Sequence, residues 1–305
     1  MKTHISVQSF TPIPCRSLTL SCAALIALVI GMSGCLAMDM EDEYADIGVV
    51  QNNVLAENAL SENALSMNAL STSALVSGEL PLNYASAGTL HTSSLGRQLL
   101  KYVSRCAYSA TDYLHVDDSN GLGVDNFPGR LGLATTWKNG GLDDDYKELM
   151  TACLLAHLNK FGVPVSISVR YSGAMATPNE ESAVYFYGDG VFYGNLYASP
   201  PREYACSIRQ KSGEVPAATS DFASLRVCDE GATNCGVTYV GYCDEVCSTI
   251  VEDNHQFQFA SCHDGNPDVA SRQYYQHTFS VWLPGTDAPA CQPGNPLWKG
   301  YTCRP

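Results

Sequence analysis

An apolar run from Leu18 to about Met32, closed by Ser33-Gly34-Cys35, constrains this chain more than any other stretch. Lys2 and Arg16 place positive charge ahead of it. The run is interrupted by Thr19, Ser21, Cys22 and Gly31 and is shorter than the about 20 apolar residues a membrane-spanning helix needs. It fits the apolar region of a secretory signal. An exported chain folds in an oxidising compartment, where thiols pair, so the later cysteines become candidate crosslinks of the fold.

Met32-Ser33-Gly34-Cys35 resembles the bacterial lipobox, with Met32 where that motif usually has Leu. The resemblance implies that residues 1–34 are a lipoprotein signal peptide, that the chain is cut before Cys35, and that Cys35 carries acyl chains such as palmitate. One acyl chain anchors a protein only marginally, whereas two or three act together. An ordinary secretory signal cut near Ala37 is the alternative. The resulting expectation is an extracytoplasmic protein anchored to the membrane of a bacterial cell envelope.

The chain has 305 residues, a net charge of −14 and 13 cysteines. Loss of residues 1–34 removes Lys2, Arg16 and no acid, which brings the charge to −16. That charge disfavours nucleic acid and anionic lipid surfaces, both of which reward Lys and Arg. Cys15 and Cys22 leave with the signal, and Cys35 takes lipid. Ten cysteines remain: Cys106, Cys153, Cys206, Cys228, Cys235, Cys243, Cys247, Cys262, Cys291 and Cys303. An even count in an exported chain reads as a framework of up to five disulfides, of unspecified connectivity.

From Leu36 to Gly96 there is no Lys or Arg, and Asp39, Glu41, Asp42, Glu43 and Asp46 open an acidic tether at 35–54. Leu55, Leu60, Leu65, Leu70, Leu75 and Leu80 then recur every fifth residue, within runs such as Asn58-Ala59-Leu60-Ser61. A step of five turns an α-helix by about 140° net, so these leucines would spiral around it. The repeat resembles the pentapeptide-repeat family, with Asn and Ala exchanged before the leucine. So few repeats make at most two coils, and a solenoid needs several to bury its core. Residues 55–92 therefore read as a spacer, disordered or repetitive, with docking on the following domain as the alternative.

Residues 93–305 read as an α+β, disulfide-stapled domain with two helices packed on a mainly antiparallel β-sheet, long enough for a sizeable core. Ser93 or Ser94 caps a helix to about Ser109, with Leu95, Leu99, Tyr102, Val103 and Cys106 on one face. Asp143-Asp144-Asp145 opens a second helix to about Lys160, with Tyr146, Leu149, Met150, Cys153, Leu154, His157, Leu158 and Phe161 as its stripe. Cys106 and Cys153 lie on the two inward faces, which predicts a bridge between them. Val165–Tyr171 alternates as a half-buried strand. Ala183–Tyr187 and Val191–Tyr197 flank Gly188-Asp189-Gly190 as a hairpin. Further strands are expected at Glu203–Ile208, Leu225–Cys228, Val237–Tyr242, Gln256–Ala260 and Tyr274–Leu283. Cys291 and Cys303 pin a Pro- and Gly-rich tail.

The arrangement is similar to a set of N-A-L-repeat, cysteine-rich lipoproteins of the myxobacterial type. The similarity rests on the Asn-Ala-Leu-Ser run, Leu99-Leu100-Lys101-Tyr102-Val103, Ala152-Cys153-Leu154-Leu155-Ala156, Phe192-Tyr193-Gly194-Asn195-Leu196 and Tyr204-Ala205-Cys206. It implies an envelope lipoprotein and supplies no active site.

No G-x-S-x-G, H-E-x-x-H or P-loop motif is present. Cys243, Cys247, His255, Cys262 and His263 have zinc-ligand chemistry, but exported thiols pair more often than they bind metal. Asp117, Asp118, Asn120 and Asp125, and separately Asp264, Asn266 and Asp268, offer oxygen ligands for calcium, although such loops are usually turns. No cofactor is expected, calcium being the one possibility. Glu180 and Glu181 read as solvated acids, and His157 and His277 as core histidines. Tyr185, Tyr187, Tyr193 and Tyr197 are the candidate ligand-binding residues, because flat rings stack on sugar faces or peptides. Cross-strand pairing within the sheet is the structural alternative. The expectation is a non-catalytic envelope protein binding a surface partner, glycan or protein, with a secreted hydrolase of unplaced acid and histidine groups as the alternative.

Overall fold

The computed structural model describes residues 53–57, 79–80, 82, 90–118, 121–159, 166–171, 179–209, 237–253 and 256–283. The signal segment, Cys35, the acidic tether as far as residue 52, the middle of the repeat, the strand expected at Leu225–Cys228 and the tail from Pro284 lie outside them. So do Cys228, Cys235, Cys291 and Cys303.

In chain order the elements are β1 (Asn53–Glu57), α1 (Ser94–Ala107), β2 (Tyr113–Val116), β3 (Asp125–Pro128), α2 (Asp144–Ala156), β4 (Ser166–Tyr171), α3 (Asn179–Val184), β5 (Tyr187–Asn195) and β6 (Arg202–Ser207). There follow β7 (Thr238–Tyr242), α4 (Cys243–Val246), β8 (Ser248–Asp253), β9 (Gln256–Ala260), β10 (Cys262–His263), β11 (Tyr274–Tyr275) and β12 (Phe279–Leu283). One sheet runs β1-β4-β12-β5-β6-β7 and is antiparallel except for the parallel β6–β7 pair. The pairs β2–β3, β8–β9 and β10–β11 stand apart from it. The fold is mixed α/β, with a mainly antiparallel sheet and three disulfides among the described residues.

Both long helices start where their capping residues predict. The Gly96 N–H donates to Ser93 Oγ at 3.0 Å, and the Tyr146 N–H donates to Asp143 Oδ1 at 2.9 Å. Each cap satisfies an amide that the first turn leaves unpaired. Cys106 and Cys153 are bonded, joining α1 to α2. The helices are not equivalent. α2 lies on the sheet against β5 and β12, while α1 packs on α2 and on the β2–β3 hairpin. The C-terminal part of α2 is thereby enclosed, and every residue from Leu149 to Ala156 is buried, as expected of a helix segment surrounded by other elements.

The middle strands β4, β12 and β5 are buried on both faces over most of their length. Strand alternation sends Ile167, Val169, Phe192, Ala205, Phe279 and Val281 into the helix-side core. Val191, Tyr193, Cys206 and Trp282 enter a second core with Cys243, Val246, Phe259, Cys262 and Tyr275. Two disulfides, Cys206–Cys243 and Cys247–Cys262, staple that second layer.

Several expectations need correction. β4 is not half-exposed: Ser168 and Arg170 are as buried as Ile167 and Val169, because the second layer covers their face. The hairpin at Gly188-Asp189-Gly190 does not form. Residues 179–184 are helical, β5 continues through the three residues, and Asp189 is 0% exposed rather than a solvated tip. The final strand is broken at 276–278, so Tyr275 joins the second core while Phe279 and Val281 join the first. Two described parts of the repeat region contact the domain. β1 pairs with β4, Leu80 is buried in the helix-side core, and its N–H donates to Trp137 O at 2.9 Å.

Candidate functional site

A surface concavity lies beside β2. Leu114 and Val116 point into the core beneath α1, so alternation leaves Tyr113 and His115 on the outer face. The His115 N–H donates to Leu82 O at 2.7 Å, which brings the end of the repeat segment alongside β2. Leu82, Thr111, Asp112, Tyr113 and His115 line a cavity of about 440 Å³. Tyr113 is 55% exposed.

The polar groups around this cavity are fixed by their neighbours. Asp112 Oδ2 accepts from Lys138 Nζ and from Ser109 Oγ, each at 3.2 Å. Thr111 Oγ1 is 3.0 Å from Ser109 Oγ. His115 lies between two acceptors, with Nδ1 2.7 Å from Asn126 Oδ1 and Nε2 3.0 Å from Asp117 Oδ1. The hydrogen bond to Asn126 and then that to Asp117 hold its pKa above the ordinary histidine value. An exposed ring beside a carboxylate, a hydroxyl and an imidazole can stack on one face of a ligand and hydrogen-bond its edge.

The hairpin bearing this site is anchored by Arg97, a buried cation on α1. Its Nε donates to His91 O at 2.9 Å, Nη1 to Gly123 O at 2.8 Å and to Asp125 Oδ2 at 2.5 Å, and Nη2 to Asp117 O at 2.7 Å. Three oxygens of the first calcium-candidate loop are thus bound by a guanidinium. Asn120 lies outside the described residues. In the second loop Asp264, Asn266 and Asp268 each accept a backbone N–H two residues onward, the pattern of successive Asx turns.

The four candidate tyrosines do not share an exposed face. Tyr193 is fully buried, donates to His263 O at 2.9 Å and stacks on Tyr204 with 5.7 Å between centroids. Burial pushes its phenol pKa far up. Tyr197 is also buried, edge-on to Trp137. Tyr185 is half-buried against the second core, and its carbonyl accepts from Arg170 Nη2 at 2.8 Å. Tyr187 starts β5, opposite Leu283. At Tyr193 the rings serve packing.

Other reactive groups are occupied structurally. Cys243, Cys247 and Cys262 are in disulfides and offer no thiolate to zinc, and His263 Nδ1 accepts from the Gly265 N–H at 3.1 Å. His255 lies outside the described residues. Cys106, Cys153 and His157 lie close enough to hold a metal, but the sulfurs are bonded and His157 Nδ1 donates to Cys153 O at 2.8 Å. Glu181 Oε1 accepts from Ser168 Oγ at 2.5 Å, and Ser168 Oγ accepts from the buried Arg170. Near the start of α2, Tyr171 Oη and His277 Nδ1 are 2.8 Å apart, and Glu148 accepts the Gln276 N–H at 3.2 Å. Burial lowers the pKa of His277 and raises that of Glu148.

The cavity residues Thr111, Asp112, Tyr113 and His115 escape sequence reasoning. Their signal, Tyr-Leu-His-Val in alternation, is four residues long and sits inside a Gly-rich stretch that reads as loop. No family model, curated protein or solved structure matches the chain. Among the described residues no helix is long and apolar enough to cross a membrane. The three disulfides there fit an oxidising, extracytoplasmic compartment.

Proposed function

We propose that this chain is a non-catalytic envelope lipoprotein of the N-A-L-repeat, cysteine-rich type, anchored through Cys35, whose disulfide-stapled domain binds a surface glycan beside β2. The observation that carries the reading is the cavity lined by Thr111, Asp112, Tyr113 and His115. A sugar ring stacks its C–H face on Tyr113 and directs hydroxyls to the fixed carboxylate, hydroxyl and imidazole. The oxidising compartment and the repeat segment ahead of the domain fit presentation at the cell surface.

The test is calorimetric titration of the purified lipid-free protein with soluble oligosaccharides released from the bacterial envelope. Binding that weakens about tenfold in Tyr113→Ala supports the reading, since an aromatic contact contributes on the order of 1 kcal/mol. Absence of binding, or binding indifferent to Tyr113, ends it. The anchor is read separately from the intact mass of protein taken from membranes: a start at Cys35 with added acyl mass supports it, and a start near Ala37 sinks it.

A hydrolase centred on His277, Tyr171 and Glu148 is the second reading, favoured by the opposed pKa shifts of His277 and Glu148. Turnover of an envelope oligosaccharide that disappears in His277→Ala would favour it over binding alone.

A further inference from the structure

Four sulfur atoms meet in the second core. Cys206 on β6 is bonded to Cys243, and Cys247 is bonded to Cys262. The two bridges touch, with Cys206 Sγ 3.8 Å from Cys247 Sγ. The contact follows from the sequence Cys243-Asp244-Glu245-Val246-Cys247. One helical turn, closed by the Cys247 N–H donating to Cys243 O at 2.9 Å, sets both cysteines beside β6. Cys206, Cys243 and Cys262 are fully buried, whereas Cys247 is half-buried. The two acids between the cysteines would oppose a nearby thiolate, but Arg209 pairs with both, Nη1 lying 2.7 Å from Asp244 and Nη2 bonding Glu245.

We propose that these sulfurs form a thiol–disulfide exchange relay, in which a dithiol donor at the surface reduces Cys247–Cys262 and the reduction passes to Cys206–Cys243. The donor thiolate attacks Cys247 Sγ, forms a mixed disulfide and expels the Cys262 thiolate. The donor's second thiolate attacks its own sulfur in that bond, leaves as a cyclic disulfide and releases the Cys247 thiolate. Cys247 then attacks Cys206 Sγ at van der Waals distance, forming a Cys206–Cys247 bond and expelling the Cys243 thiolate. Two electrons and two protons enter from the dithiol, and Cys243 and Cys262 end as thiols. Such exchange proceeds through a thiolate attacking an accessible disulfide sulfur, and Cys247 is the one half-buried residue of the four.

The test treats the oxidised full chain with one equivalent of dithiothreitol, then alkylates and maps linked peptides without reduction. Digestion at pH 4 with a glutamate-specific protease cuts at Glu245 and Glu252, separating Cys243, Cys247 and Cys262. A Cys206–Cys247 peptide, with alkylated Cys243 and Cys262, is expected. A second variant, Cys262→Ser, frees Cys247 from the start and should yield both the Cys206–Cys247 and Cys206–Cys243 peptides with no reductant. Any pattern lacking the Cys206–Cys247 peptide in both experiments overturns the relay.

Discussion

Single residues in this protein show how burial reassigns chemistry that composition leaves open. His115 and His277 have the same ring, yet their surroundings push them in opposite directions. Asn126 and Asp117 favour the charged form of His115, while burial favours the neutral form of His277. The contribution of His115 to stability is therefore complete below the unfolded value of about 6.5 and fades as pH rises through its raised folded pKa. His277 acts in reverse, because the unfolded chain protonates first, and its contribution is lost as pH falls below about 6.5 towards the lowered folded pKa. An imidazole NMR titration should place the two midpoints on opposite sides of that value; coincident midpoints would contradict the geometry. Tyr193 carries the second residue-scale prediction. Tyr193→Phe leaves the buried His263 carbonyl without its donor and should cost about 1–2 kcal/mol in urea unfolding. A neutral result would mean that this hydroxyl does not hold β5 to the segment at 263.

At the scale of elements, the two long helices were legible, the short ones at 179–184 and 243–246 were not, and the strands were legible only in part. Helix periodicity and caps are local, so Ser93, Asp143 and the facing cysteines foretell α1, α2 and the bridge between them. That bridge closes a separation of 47 residues, and replacing both cysteines with Ala should cost about 4 kcal/mol in a reversible melt by loop-closure entropy. A loss under about 1 kcal/mol would mean that packing alone holds the helix pair. Strands fared worse because the sheet is covered twice. Alternation of apolar and polar residues marks a strand with one wet face, and β4 and β5 have none. The Gly-Asp-Gly at 188–190 reads as a turn locally, yet its neighbours on β6 and β12 keep it extended. Gly194 shows the same control by a neighbour. Its φ of +140° and a would-be Cβ 2.1 Å from Arg202 O leave no room for a side chain. Gly194→Ala should cost on the order of 2–3 kcal/mol, read as a lowered melting temperature.

At the scale of the whole molecule, the two cores are unequal. Among the described residues the helix-side core gathers 34 buried residues and one disulfide, whereas the second gathers 10 buried residues and two disulfides. A small core relies more on crosslinks. Full reduction should therefore strip amide-exchange protection from α4 and β9 to β11 before α2, and a uniform loss would show that the layers unfold as one. The residues alone determined the capped starts of the two long helices and the α1–α2 bridge, because each is written in neighbours along the chain or in one helical face. Only the tertiary structure decided that the end of the repeat segment docks on the domain, that a second layer covers the sheet, that Tyr193 and Tyr197 are core residues, and that Cys206 touches Cys247. Those facts depend on which distant strands lie side by side, and a polar residue such as Arg170 or Asp189 does not reveal that a later segment will bury it.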